Sequence, residues 1–173
     1  MFVLGIDPGL SRCGYGVVRR DSSSTLHAVA AGVITTAPDT PLAERLALLQ
    51  REITGLIAEC RPAAVVVERV FFQTNARTAM SVGQASGLAL AAAASAGCEV
   101  VQYTSNEVKQ AVVGYGSATK DQVQRMVQAI LRLPERPRPP DAADALALAI
   151  CHQTLLPLAR RVAAARAAQG ARS

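Results

Sequence analysis

The segment "GIDPGLSRCGYGVV", residues 5–18, predicts two β-strands joined by a tight turn, with one carboxylate at the turn. The first apolar run ends at Asp7, and the Pro8-Gly9 pair that follows favours a turn. The run "GYGVVRR" then continues as a second strand. A carboxylate at this point either caps the turn or lies on a rigid platform where it binds a positively charged group. Taken alone, the segment leaves both interpretations of Asp7 open.

Length and composition indicate a single α/β domain with a basic surface. The chain has 173 residues, a net charge of +5 and a pI of about 9.4, which favours a polyanionic partner. The longest uncharged apolar stretch, residues 85–98, is shorter than the ~18 residues that a membrane span needs. No leader sequence is expected before the first strand, so we expect a cytoplasmic protein. The four cysteines lack the spacing of a zinc site.

The hydrophobic pattern predicts a mixed five-stranded sheet with helices on both faces. A helix is expected after Thr40 as N-cap and Pro41 as first residue, and another after a Ser105 or Asn106 cap. Residues 1–156 form the predicted domain, and residues 157–173 are expected to be a basic, flexible tail. Strands are predicted at 1–7, 14–20, 25–36, 63–68 and 99–103, and further helices at 75–96, 120–133 and 141–156.

Four carboxylates lie at special positions of this predicted fold. Asp7 ends the first strand, Glu68 ends a buried strand after three valines, and Asp141 and Asp144 lie three residues apart in the first turn of the last helix. An i, i+3 pair shares a helix face. Several carboxylates in one place repel each other unless a cation binds between them. Oxygen ligands alone select Mg²⁺ or Mn²⁺ rather than zinc. Taken singly, Asp141 is better explained as a helix cap, and Asp7 as a turn residue.

Four motifs in this chain resemble those of the RuvC-type Holliday junction resolvases. They are "GIDPG…GYGVV", "VVVERVFFQTNA", "VKQAVVGYGSATKDQVQ" and "DAADALALAI", and the resemblance covers residue 3 to about 152 in the family's order. It implies a ribonuclease H-like fold and a homodimer that cuts four-way DNA junctions with Mg²⁺ or Mn²⁺. Symmetric nicks in two strands of like polarity would leave 5′-phosphate and 3′-hydroxyl ends, in recombination and DNA repair. The resemblance also implies partnership with the RuvA and RuvB branch-migration proteins.

The resemblance also assigns roles to individual residues. Lys109 and Lys120 match basic positions that contact DNA near the scissile phosphate, Phe71 takes the place of an aromatic wedge, and Arg77 is a weaker candidate for DNA contact. Phe72 is expected to pack instead. Two cations would flank the scissile phosphate. Some family members carry His at the first position of the last acidic pair. The catalytic and metal-binding carboxylates would be Asp7, Glu68, Asp141 and Asp144.

Two other classes of protein fit parts of the sequence. The opening segment also resembles the phosphate-binding start of actin-like and sugar-kinase-like ATP-binding domains, but 173 residues leave no room for their second lobe. A non-catalytic DNA-binding scaffold would fit the basic charge and would not need a full set of carboxylates. His27 and His152 receive no catalytic role.

Overall fold

The computed structural model describes residues 1–69 and 76–170 of the chain. Within these ranges no helix is long and apolar enough to cross a membrane. The strands are β1 (Phe2–Asp7), β2 (Arg12–Arg20), β3 (Leu26–Thr35), β4 (Ala64–Glu68) and β5 (Glu99–Tyr103), and the helices are α1 (Leu42–Cys60), α2 (Ala76–Ser95), α3 (Ser105–Val113), α4 (Lys120–Ile130) and α5 (Pro140–Gly170).

The strands form the predicted mixed sheet, in the order β3-β2-β1-β4-β5. β1, β2 and β3 are an antiparallel meander, whereas β4 and β5 run parallel to β1. β1 and β4 are neighbours, with Ile6 paired to Val67. The next residues, Asp7 and Glu68, therefore end two adjacent parallel strands at the same edge of the sheet.

Helices cover both faces of the sheet, as predicted. Helices α3, α4 and α5 pack on one face against Val3, Val18 and Val66, and α1 and α2 pack on the other against Leu4 and Val65. Since successive side chains of a strand point to opposite faces, a strand in the middle of this sheet must be apolar throughout. The uninterrupted valines of β4 meet that requirement, and all three are fully buried.

Helix α5 lies directly on β1 and β2 because glycines leave room for its backbone. A Cβ atom on Gly5 would lie 2.0 Å from the carbonyl oxygen of Ala145, and one on Gly14 would lie 2.2 Å from that of Asp141. No real Cβ atom approaches a backbone oxygen so closely. The first turns of α5 are therefore held against the strands that carry the opening turn.

Helix boundaries depart from the prediction at several points. Helix α4 ends at Ile130, so its predicted end at residue 133 is wrong. Pro41 is extended (φ −54°, ψ 141°) and is itself the N-cap, so α1 begins at Leu42 and the predicted Thr40 cap is wrong. Thr104, rather than Ser105 or Asn106, caps α3 and forms a capping box with Glu107. Helix α5 continues through Pro157 to Gly170, so its predicted end at residue 156 is wrong. The alanine-rich sequence beyond the proline has the propensity to continue the helix.

Candidate active site

A small cavity of about 130 Å³ lies at the sheet edge where β1 and β4 end. Three of the four predicted carboxylates line it, from β1, β4 and α5. Both predicted lysines line it too, Lys109 from α3 and Lys120 from the first residue of α4. These residues come from five elements and meet because the parallel strands end together and α5 lies against β1. The cavity is lined by Asp7, Glu68, Ser105, Val108, Lys109, Lys120, Val123, Asp144, Ala147 and Leu148.

Asp7 and Glu68 are hydrogen-bonded to each other in this cavity. Burial, followed by the negative charges of Glu68 and Asp144, raises the pKa of Asp7 to about 7. Burial also raises the pKa of Glu68, although the hydrogen bond from Asp7 acts in the opposite direction. Both shifts disfavour the ionised forms of these two groups, whereas a cation bound between them would favour the ionised forms.

Asp144 is paired with a lysine across the cavity. The Nζ atom of Lys120 lies 3.0 Å from its Oδ2 atom. This contact raises the pKa of Lys120, and the same ammonium group opposes the rise in pKa of both Asp7 and Glu68. Lys120 thus places one positive charge among three acidic side chains. The Thr119 capping box holds the helix start that carries this lysine.

Asp141 does not line the cavity. Its Oδ2 atom accepts hydrogen bonds from Nη2 of Arg12, at 2.8 Å, and from Nε, at 3.2 Å. The hydrogen bond from Arg12 lowers the pKa of Asp141. The structure therefore brings three predicted carboxylates together and holds the fourth beside them on an arginine.

No group of three or more Asp, Glu, His or Cys side chains in residues 1–69 and 76–170 is arranged to hold a metal ion as it stands. Two of the four carboxylates are instead paired with cationic side chains, Asp144 with Lys120 and Asp141 with Arg12. The donor chemistry nevertheless fits a hard divalent cation, because all the acidic groups are carboxylates. The ammonium group of Lys120 already places a positive charge among these carboxylates, as a metal ion would.

Arg12 and Ser105 are the functional candidates that the sequence analysis missed. The sequence does show a basic residue, Arg12, just after the turn that follows Asp7. It does not show that the partner of Arg12 is Asp141, which lies 129 residues away in the chain. Ser105 looked like a helix cap and instead lines the cavity. The predicted wedge Phe71 and its neighbour Phe72 lie outside the described residues, as does the side chain of Arg77.

A family model described as "Crossover junction endodeoxyribonuclease RuvC" matches residues 3–152, almost the whole described domain. The chain belongs to the RuvC family. Its RuvC relatives include a protein of Salinispora arenicola, 56% identical over 152 residues that cover 88% of this chain and 87% of the relative. Another, from Leifsonia xyli subsp. xyli, is 55% identical over 87% of this chain and 72% of the relative.

Solved RuvC structures share the fold. The RuvC of Thermus thermophilus matches with a TM-score of 0.85 and 38% identity, over 92% of this chain and 97% of that one. The same protein in complex with a Holliday junction substrate matches at 0.83 and 37%, over 91% and 96%. A yeast mitochondrial Holliday junction resolvase, 14% identical with a TM-score of 0.65 over 88% of this chain and 77% of that one, shares the fold alone. The predicted ribonuclease H-like fold is confirmed.

Proposed function

We propose that this RuvC-family protein is an endonuclease that cuts four-way (Holliday) DNA junctions. The observation that carries the proposal is the single cavity that gathers Asp7, Glu68 and Asp144 with Lys109 and Lys120. The family match supplies the substrate class, since one solved relative is a complex with a Holliday junction. A DNA-binding scaffold without catalysis would not need three carboxylates in one cavity.

Asp7, Glu68 and Asp144 are the residues that would hold Mg²⁺ or Mn²⁺, with Asp141 beside them. Bound there, two divalent cations would supply an activated water and stabilise the leaving 3′ oxygen of the scissile phosphodiester. The chain's own residues prepare the site. Because the pKa of Asp7 is raised to about 7, a cation would compete with a proton for this carboxyl less at a pH well above 7 than at pH 6.

Lys109 and Lys120 are positioned to hold the scissile phosphate. Both line the carboxylate cavity, and the Lys120 side chain is 78% exposed although its Nζ atom contacts Asp144. If Asp144 held a cation, the ammonium group of Lys120 would be available for a phosphate oxygen. Positive charge beside the reacting phosphate stabilises a transition state that is more anionic than the substrate. Phosphate contacts of this kind make binding weaker as salt is added.

The proposed product is a pair of symmetric nicks made by a homodimer. Two identical sites related by a two-fold axis match the symmetry of a four-way junction. Helix α2 supports a second copy: Gly83 and Gly87 face open space, and Met80 beside them is 67% exposed. A small-residue face lets another backbone approach closely. We also propose a cytoplasmic location and cooperation with the RuvA and RuvB branch-migration proteins, which the family relationship supports.

The test is a comparison of a synthetic four-way junction with a linear duplex of the same sequence, each incubated with Mg²⁺. The proposal expects symmetric nicks in the junction only, with ends that DNA ligase reseals, because cleavage leaves a 5′-phosphate and a 3′-hydroxyl. Asp7→Asn should abolish nicking but leave junction binding within about twofold. Glu52→Gln, which alters an exposed carboxylate of α1, is the matched control. Equal cutting of linear duplex, or nicking by Asp7→Asn, would contradict the proposal.

A further inference from the structure

Arg12 is the first residue of β2 and contacts the one predicted carboxylate that lies outside the cavity. Two of its guanidinium nitrogens, Nη2 and Nε, donate to the same oxygen of Asp141, at 2.8 and 3.2 Å. The Arg12 side chain is 50% exposed and that of Asp141 26% exposed. The contact therefore lies at the rim of the site, where water and solutes reach it.

The backbone of Asp141 packs closely on β2. Its carbonyl group lies against Gly14, where even a Cβ atom would be too large, and the amide of Ala142 donates a hydrogen bond to the carbonyl of Pro139, at 3.0 Å. A change in direction of the Asp141 side chain needs no movement of this backbone. One helical turn further, Asp144 lines the cavity from the same helix, and residues three apart share a helix face.

The guanidinium group of Arg12 occupies the Oδ2 atom of Asp141 through two hydrogen bonds. A divalent cation that took this oxygen as a ligand would have to displace the guanidinium group.

We propose that Arg12 is a positioning residue that holds Asp141 outside the carboxylate cavity and competes with a divalent cation for it. The inference rests on the proposed function, because it takes Asp141 as a cation ligand. Because an exposed ion pair contributes little free energy, removing the competitor should tighten cation binding by roughly 1.4- to fivefold.

The experiment is a calorimetric titration of the full chain with MnCl₂ in the absence of DNA. Arg12→Gln should bind Mn²⁺ roughly 1.4- to fivefold more tightly than the wild type, whereas Arg12→Lys, which keeps the charge, should remain close to it. In an Asp141→Asn background, Arg12→Gln should have no effect. A purely structural ion pair would not produce this dependence on Asp141. Circular dichroism melts of each variant confirm that it is folded.

The outcomes separate the two proposals. Loss of Mn²⁺ binding in Asp7→Asn, with weakened binding in Asp141→Asn, supports the proposed site whatever Arg12 does. Given that result, unchanged or weaker binding by Arg12→Gln overturns the role of Arg12, and so does a gain that persists beside Asp141→Asn. Mn²⁺ binding that is indifferent to both Asp7 and Asp141 overturns the metal site and the competition together.

Discussion

Replacing Asp7 by Asn is expected to stabilise the protein when divalent cations are absent, although it removes a residue of the proposed active site. The folded protein raises the pKa of Asp7 from 3.8 to about 7, because this carboxyl is largely buried beside Glu68 and Asp144. The folded state thus binds the proton more tightly than the unfolded state, and stability falls as the pH rises between these two values. Above pH 7 the full cost is present, about 4 kcal/mol at most. Asn carries no charge, so the variant does not bear this electrostatic cost.

The assay is urea denaturation in EDTA at pH 8 and at pH 5. At pH 8 Asp7→Asn should raise the free energy of unfolding by about 2–4 kcal/mol, and the gain should be less than half as large at pH 5, where wild-type Asp7 is protonated. Asp141→Asn is the control, because the pKa of Asp141 is lowered by Arg12; it should cost up to about 1 kcal/mol. A gain that is absent, or equal at both pH values, would refute the view that Asp7 is held at an electrostatic cost.

Four further predicted substitutions concern other parts of the chain. Gly5→Ala should destabilise the protein by about 1–3 kcal/mol or more in a denaturant titration, because its Cβ would meet the backbone of α5. Gly55→Ala on α1, where nothing lies within 4 Å, should instead add about 0.5–1 kcal/mol. Thr119→Ala should lower the free energy of unfolding by about 1 kcal/mol, because it removes the N-cap of α4. Thr119→Ser keeps a capping hydroxyl and should cost less; an equal cost would show that the cap is not the cause. Phe71→Ala should slow cleavage of fully paired junctions more than of junctions already opened at the centre; equal slowing would contradict a wedge.

Local patterns in the sequence predicted most helices and strands well, because each of them has a characteristic spacing of apolar residues. The alternating run before Asp7, the uninterrupted valines before Glu68 and the Pro8-Gly9 turn each indicate one structure. The sequence did not show that β1 and β4 are parallel neighbours, the pairing that brings Asp7 and Glu68 to one edge of the sheet. The prediction that all four carboxylates share one site came from the family resemblance, and the structure brings three of them together.

The orientation of Asp141 could not be predicted in the same way. The i, i+3 spacing correctly places Asp141 and Asp144 on one helical turn, but spacing contains no information about which cation lies nearby. Arg12 is 129 residues from Asp141 in the chain, and their contact exists only because α5 is seated on β2. The predictions of helix ends were wrong for a related reason. Pro41 fits both an N-cap and a first helical residue, and only its extended ψ angle distinguishes them.

The glycines beneath α5 make the spacing of the acidic groups depend on residues that touch neither cation nor DNA. At Gly5 and Gly14 the backbone of α5, the helix that carries Asp141 and Asp144, lies in direct contact with the backbone of the sheet that carries Asp7 and Glu68. A methyl group at either position would push α5 away from the sheet and so increase the distance between the carboxylates of the helix and those of the strands. Loss of nicking should therefore arise from substitutions in a buried seam with every acidic and basic side chain intact, and a search for inactive variants confined to charged residues would overlook them.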